Sequence, residues 1–419
     1  MSRIPVCLVG CGGMGTRHVA GFAALERTGI GNVDLVAVCD IREDNARRAA
    51  DEAERSIGRR PAIHTSIESA LADPAIAAFD IVTEAFTHIA LALPILEAGR
   101  HVLCEKPLAL TVRSCRALID AAARGGAVLA TAENYRRDPP NRLAKAAIDG
   151  GLVGHVHLMQ QFHVGGDDRI IITPWRHMKD KGSIALDMGC HLTDILQFYL
   201  GEIESVSGVG LIAEPVRRRR DKPEKDLPSY WARLREMPET VVATGEDSFA
   251  ATYKMRSGAL AQITYLPSGP GHRWVQRTVH GRAGSLAAAR DRTGGEVVLH
   301  RASGTLAGDA LLGELPYFHL DEVTSRLFGG KVTYGPVDFA KADAGLIAIE
   351  IHDFAEAILA GRQPEVDGHL GLTAVAAVLA AFESGIAGRS VTMAEVLSGE
   401  VSAYQDSIDA GIPALAGRG

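Results

Sequence analysis

Three side chains are of the kinds that move protons or hold oxyanions, and each sits in an unusual setting. Lys106 follows the apolar run "HVLCE" and precedes Pro107. A cationic side chain therefore stands at the mouth of a strand-like segment, on backbone that proline stiffens. Asp187 and His191 lie four residues apart in "LDMGCHLTD", a spacing that puts both on one helix face, with Asp194 continuing it. An amine can hold and polarise an oxygen. An imidazole, with an unperturbed pKa near ~6.5, can take a proton at neutral pH. Gly189 inside this helix costs about 1 kcal/mol relative to alanine and leaves room for something bulky to approach. Taken singly, these are also a surface lysine and a local ion pair; they gain weight only if the fold brings them together.

The elements that would do so are legible. From residue 4 to about 130, strand-like runs ("IPVCLVG", "VDLVAVCD", "FDIVTEA", "HVLCEKP", "AVLATAEN") alternate with helix-like segments. That alternation predicts a parallel sheet with helices on both faces. "VGCGGMG" places Gly10, Gly12 and Gly15 in G-x-G-x-x-G spacing at the first strand-to-helix turn, with Gly13 and Met14 between them. Such a turn lets a pyrophosphate approach the backbone at a helix N-terminus. The second strand ends in Asp40, placed to hold ribose hydroxyls, a little further along than the ~20 residues typical of the motif. Its charge favours NAD over NADP; Arg42, two residues on, pulls the other way. Ligands in such sheets bind beyond the carboxyl ends of the strands, which aims Lys106 at the nicotinamide end.

After residue 150, short partly alternating runs separated by glycines predict an antiparallel sheet with one covered face. The expected fold is α/β: a Rossmann domain over residues 1–132, then an α/β domain over 133–419 with a large, open, mostly antiparallel sheet. Its C-terminal helices are expected to pack back on the first domain. Residues 213–240, with Arg217 to Arg220 among acids and prolines, look like an inserted solvated loop, or else a lid or subunit-spanning arm anchored by Tyr230 and Trp231. A net charge of −7 gives no reason to expect nucleic acid or anionic membrane as partner. No apolar run approaches the ~20 residues of a membrane span, and the six cysteines form no CxxC pair. Reduced, buried thiols in a cytoplasmic protein and no metal site are the expectation.

"EKP" after a Rossmann strand, with "GSIALDMGCHLTD" some eighty residues later, resembles the Gfo/Idh/MocA family of glucose–fructose oxidoreductase, inositol dehydrogenase and rhizopine-catabolism proteins. "THIALALPILEAGRHVLCEKPLALT" and "HDFAEAILAGRQPEVDG" extend the likeness over nearly the whole chain. The resemblance implies that Lys106 holds the reacting oxygen and that His191 accepts the proton with Asp187 orienting it. It further implies that Trp175, Arg176 and His177 contact nicotinamide and substrate, and that Asn134, Tyr135 and Arg136 border the same cleft. Phe86, Thr87, His88 and Glu105 would complete the cofactor site, and the second sheet would make a homodimer or homotetramer. Gly182-Ser183 stands where the family usually has two glycines.

The function these residues point to is NAD-dependent hydride transfer between nicotinamide and a secondary hydroxyl or ketone of a sugar, glycoside or polyol, with the polar groups Arg136, Arg176, His177, His191 and Asp194 near the pocket mouth. Whether Lys106 or His191 takes the proton is left open by sequence. A second reading is a redox glycosidase that oxidises C3 transiently, eliminates the aglycone and adds water, with Tyr135 and His177 as candidate second bases. A non-catalytic cofactor-binding sensor is disfavoured by the complete Lys106, Asp187 and His191 set.

Overall fold

The apolar runs of the first third become strands whose residues are almost all buried, because helices cover both faces of their sheet. The computed structural model describes residues 2–222 and 228–415. Strands β1 (Ile4–Val9), β2 (Val33–Cys39), β3 (Ala62–His64), β4 (Ala78–Ile81), β5 (His101–Glu105) and β6 (Leu129–Ala132) pair in parallel in the order β3-β2-β1-β4-β5-β6. Helices α1 (Gly13–Arg27), α2 (Glu43–Ile57), α3 (Ile67–Leu71), α4 (His88–Glu97) and α5 (Val112–Gly125) connect them. The strand order reverses between β1 and β4, so a crevice opens beyond their carboxyl ends.

Helix α6 (Pro139–Asp149) leads into a nine-stranded mixed sheet. Its strands are β7 (Val156–Val164), β8 (Ile203–Leu211), β11 (Ser248–Met255), β12 (Leu260–Leu266), β13 (Trp274–Gly281), β14 (Ser285–Ala287), β15 (Val298–Arg301), β16 (Gly304–Ala307) and β17 (Val391–Thr392); β9 (Val216–Arg218) and β10 (Thr240–Val242) form a separate ribbon. Only β7 and β12 pair in parallel; the other neighbours are antiparallel. The long helix α7 (Ile184–Leu200) leaves β7 and returns to β8, bringing Asp187 and His191 to the edge of the crevice.

After α8 (Glu322–Phe328), helix α9 (Phe339–Ala360) packs back on α1, so close that a Cβ on Gly21 would lie 2.4 Å from Ile347. Helix α10 (Gly368–Ala387) corrects one expectation. At a mean hydropathy of 1.8 it is long and apolar enough to cross a membrane, yet 72% of that stretch is buried in the protein, against α5, α7 and β8. Gly189 faces this helix: a Cβ there would meet Val378 at 2.8 Å. What approaches that glycine is core, not a ligand. All six cysteines are buried and free.

The arginine run is not a solvated loop either. Arg217 is fully buried, its guanidinium 2.6 Å from Asp247 and donating to the Asp167 carbonyl at 2.8 Å. Arg218 pairs with Asp168 at 2.6 Å and Arg220 with Asp167 at 3.0 Å. The acids that accept these cations lie about fifty residues upstream or thirty downstream, so local sequence reads them as unpaired. Residues 223–227 of the insertion lie outside the described residues. Arg217→Ala leaves Asp247 buried without its cation, and should lower stability by about 3–5 kcal/mol in chemical denaturation.

Candidate active site

A cavity of about 540 Å³ runs along the crevice, walled on one side by the ends of β1, β2, β4 and β5 and on the other by residues 172–176, α7, Tyr230 and Arg292. At its phosphate end Gly10 has φ +95°, a left-handed turn that favours glycine. A Cβ on Gly12 would meet nothing within 4 Å, whereas one on Gly15 would strike the Gly10 carbonyl at 2.1 Å. Gly10, Gly12, Gly13 and Met14 line the cavity; Gly15 sits behind them and lets α1 pack close. This is a cradle shaped for a pyrophosphate at a helix N-terminus.

At the far end of β2, Asp40 accepts from the backbone N–H of Cys11 at 2.7 Å and of Arg42 at 2.8 Å, and from the Asn45 amide at 3.2 Å. These bonds fix its carboxylate at the cavity wall, where ribose hydroxyls could donate to it. Arg42 is exposed and lies near Asp44 and Glu236. Glu84 and Thr87 line the middle; Glu105, Lys106, Asn134 and Trp175 line the inner end. The Asn134 side-chain oxygen is buried and has no hydrogen-bond partner among the described residues, an acceptor free for a carboxamide N–H. The donor set, cradle and acceptor fit a nicotinamide dinucleotide. Phe86 and His88, expected in this set, are not on the cavity wall: His88 is buried and bonds the carbonyls of Pro107 and Thr83.

The catalytic end differs from expectation in its pairing. Lys106 Nζ lies 2.8 Å from Asp187 Oδ1 and 3.2 Å from the Asp187 carbonyl, while Arg176 Nε donates to Asp187 Oδ2 at 2.9 Å. Burial alone would raise the Asp187 carboxyl, but the two cations hold it well below the ordinary range. Burial pulls Lys106 down, yet Asp187 and Glu105 outweigh it and hold the ammonium above its usual value. Asp187 is therefore occupied by cations and does not orient His191. The imidazole is met instead by Glu133, just after β6, whose two oxygens both lie 2.8 Å from His191 Nδ1. Tyr135 stacks on the imidazole at 3.9 Å, nearly parallel.

Three residues expected at the mouth lie behind the wall. Arg136 donates from Nε to Asp194 at 2.9 Å, and both are buried. His177 Nε2 accepts from the Ile171 N–H at 3.0 Å, and burial, with Arg217 nearby, lowers its pKa to about 4. Tyr135 reaches the site only through its ring. Residues not anticipated include Glu133, Arg17, Arg292, Ile172 and Phe339. Arg17 and Arg292 share the Asp343 carboxylate, and Arg292 Nη2 reaches the Tyr135 hydroxyl at 3.3 Å. Glu133 adjoins the flagged Asn134 in "AEN" at the end of a strand, the one local signal that could have found it. Beneath Lys106, His18 bonds Asp80 at 2.7 Å and Glu105 at 3.2 Å. Against the cost of burial the two acids hold its pKa well above the ordinary value. Tyr230, from the insertion, packs its ring on Gly13 and donates to Met14 Sδ at 3.2 Å.

Asp40→Asn keeps the shape but removes the charge offered to ribose. It should weaken NADH binding about tenfold or more in a fluorescence titration, in line with the ~1.5–3 kcal/mol of a charge-assisted hydrogen bond, and narrow the preference over NADPH.

Residues 4–133 match the model of the GFO/IDH/MocA oxidoreductase family, NAD-binding Rossmann fold, and residues 141–287 match the GFO/IDH/MocA C-terminal domain. Levoglucosan dehydrogenase of Pseudarthrobacter phenanthrenivorans is 30% identical over 68% of this chain and 73% of its own. Myo-inositol 2-dehydrogenase of Thermotoga maritima is 28% identical over 51% of this chain and 61% of its own. Among solved structures, levoglucosan dehydrogenase in complex with NADH and L-sorbose superposes with a TM-score of 0.74 at 24% identity, covering 94% of this chain and all of that one. An oxidoreductase domain protein from Kribbella flavida gives 0.75 over the same share. With the two family models matched over residues 4–133 and 141–287, the chain belongs to the Gfo/Idh/MocA oxidoreductases.

Proposed function

We propose that this protein is an NAD-dependent dehydrogenase of a secondary hydroxyl on a sugar or polyol. The observation that carries the reading is the convergence of Lys106, Asp187 and His191 on one cavity whose other end is a glycine-loop cradle. The names of the relatives, which act on levoglucosan and inositol, support a polyhydroxylated substrate. When bound, NAD supplies the acceptor for the hydride. Lys106, kept as ammonium, holds the substrate oxygen and stabilises negative charge developing on it. His191 Nε2, which bears no hydrogen bond among the described residues, takes the hydroxyl proton. Arg176 sits over the Trp175 ring at 4.3 Å and keeps one edge of the pocket rigid. The glycosidase reading needs a second base; His177 lies behind the wall and Tyr135 is stacked against His191, so neither supplies one.

In an assay of NADH formation over levoglucosan, myo-inositol and D-glucose, Lys106→Ala should lose about 10²–10⁴-fold in kcat/KM with NADH affinity nearly unchanged. A variant as fast as the parent would remove the proposed centre.

We further propose that the protein works in the cytoplasm, where its six buried thiols stay reduced, and self-associates through the second sheet. Val209, Leu211, Leu260 and Trp274 are exposed on strands of that sheet, with Trp274 stacked on Phe162 at 4.3 Å. An apolar patch of this kind on an open sheet fits a second copy of the chain. Trp274→Glu should shift the mass measured by light scattering toward the monomer; an unchanged mass would place the contact elsewhere.

A further inference from the structure

The base of an alcohol dehydrogenase must hold a proton during turnover, and the surroundings of His191 make an imidazolium costly. The ring is buried, and Lys106 and Arg292 face it with positive charge; together these hold its pKa well below the ordinary value, against weaker opposing pulls from Asp187 and Glu105. Tyr135 covers one face of the ring and the α7 neighbours Cys190 and Asp194 are buried beside it. One carboxylate is in direct contact: Glu133, 3% exposed, with both oxygens 2.8 Å from Nδ1. Glu133 also accepts from the Tyr135 N–H at 2.9 Å, which fixes its orientation.

We propose that Glu133 is the positioning partner and proton store of the His191 base: the substrate hydroxyl proton is taken at Nε2 while the Nδ1 proton passes to the Glu133 carboxylate. This rests on the dehydrogenase reading above. The accounting closes. The carbinol C–H leaves with both electrons as hydride to the oxidised nicotinamide, and the O–H proton goes to Nε2. The N–H bond at Nδ1 breaks as an O–H bond forms on Glu133, and a carbonyl is left. Imidazole and carboxyl both end neutral, so no third cation is created beside Lys106 and Arg292.

The carboxyl suits the task. Burial raises it to about 7, although the Tyr135 N–H, Lys106 and Arg136 pull it down, with Glu105 adding to the rise. A store titrating near neutrality matches a proton transfer at neutral pH. The sign follows: oxidation requires Glu133 ionised, so kcat/KM for oxidation should fall as pH drops through about 7. The titration belongs to the Glu133–His191 pair jointly.

The test compares Glu133→Gln with the conservative Glu133→Asp, both checked by thermal melting and by NADH fluorescence titration. The substrate is whichever of levoglucosan, myo-inositol and D-glucose the parent oxidises fastest. Glu133→Gln should slow single-turnover oxidation about 10²–10³-fold and abolish the acid limb near pH 7, with NADH affinity held; Glu133→Asp should recover part of both. In ¹⁵N-histidine NMR of the parent, which needs no substrate, His191 should be protonated at Nδ1, and its titration should move in Glu133→Gln. A parent protonated at Nε2, a His191 titration indifferent to the substitution, or a Glu133→Gln variant with parental rate and pH limb would each overturn the proposal. If the parent oxidises none of the three sugars, the functional reading fails and the NMR result alone decides the pair. If Glu133→Gln does not fold, the protonation site in the parent and the Glu133→Asp profile decide it.

Discussion

The Asp187 carboxylate is shared by two cations, and the rest of the site is arranged around that sharing. Lys106 comes from the end of β5 and Arg176 from the turn at residues 174–177, so one buried acid on α7 ties the parallel sheet to the second half of the chain. A buried ion pair is a poor source of net stability, because removing charges from water costs about what their attraction returns. Its value here is positional and electrostatic. The two cations keep Asp187 ionised, and Asp187 with Glu105 keeps Lys106 protonated against burial and the neighbouring Arg176. A lysine held as ammonium donates to an oxygen and does not accept a proton from it. Under the proposed chemistry this favours the imidazole over the lysine as base, a choice that sequence left open.

Holding that arrangement requires a stiff platform, and the core provides it. Helix α7 begins at Ser183, whose hydroxyl accepts from the Leu186 N–H at 3.3 Å, just after Gly182 at φ +95°. The chain can thus turn sharply into the helix one turn before Asp187. Further along, Gly189 lets α10 come into contact, and Thr193 donates to the Ala374 carbonyl at 2.8 Å. On the opposite wall, Glu105 is anchored from below by His18, itself clamped by Asp80. Glu105, which faces the cavity, is thus backed by an imidazole that faces the core.

Reading the sequence recovers what is local and misses what is mutual. The glycine loop, Asp40, the mouth position of Lys106 and the shared face of Asp187 and His191 follow from spacing and periodicity, and the parallel sheet follows from alternation. Pairing between distant segments does not. An i, i+4 Asp and His look like partners, but a carboxylate binds the strongest donors within reach, and Lys106 and Arg176 arrive from 81 and 11 residues away. The polar cluster expected at the mouth failed for the same reason. Arg136 found Asp194, and Arg217 found Asp247, each pair turning two apparently free charges into one buried contact. Gly189 shows the reverse error: a glycine on a functional helix is open to a ligand or to core, and only the place of α10 decides.

The remaining electrostatics bear on which protonation states the cavity tolerates. Two cation–carboxylate–cation groups flank it, Lys106–Asp187–Arg176 and Arg17–Asp343–Arg292, each with one positive charge in excess, while His18 with Asp80 and Glu105 carries one negative charge beneath. Burial, helped by Lys106 of one group and Arg292 of the other, holds His191 neutral, which is the state a base needs before it acts. Arg292 reaches this position at a backbone cost. It and Ile172, another residue on the cavity wall, are the only non-glycine residues with positive φ among those described, both at +61°. For a β-branched isoleucine that conformation is a true outlier, and such strain persists only where surrounding packing fixes it. Both outliers face the cavity and neither lies elsewhere in the fold. The strain thus falls on the pocket: Ile172 stands in its wall, and Arg292 sets its guanidinium against the Tyr135 ring, which stacks on the His191 imidazole.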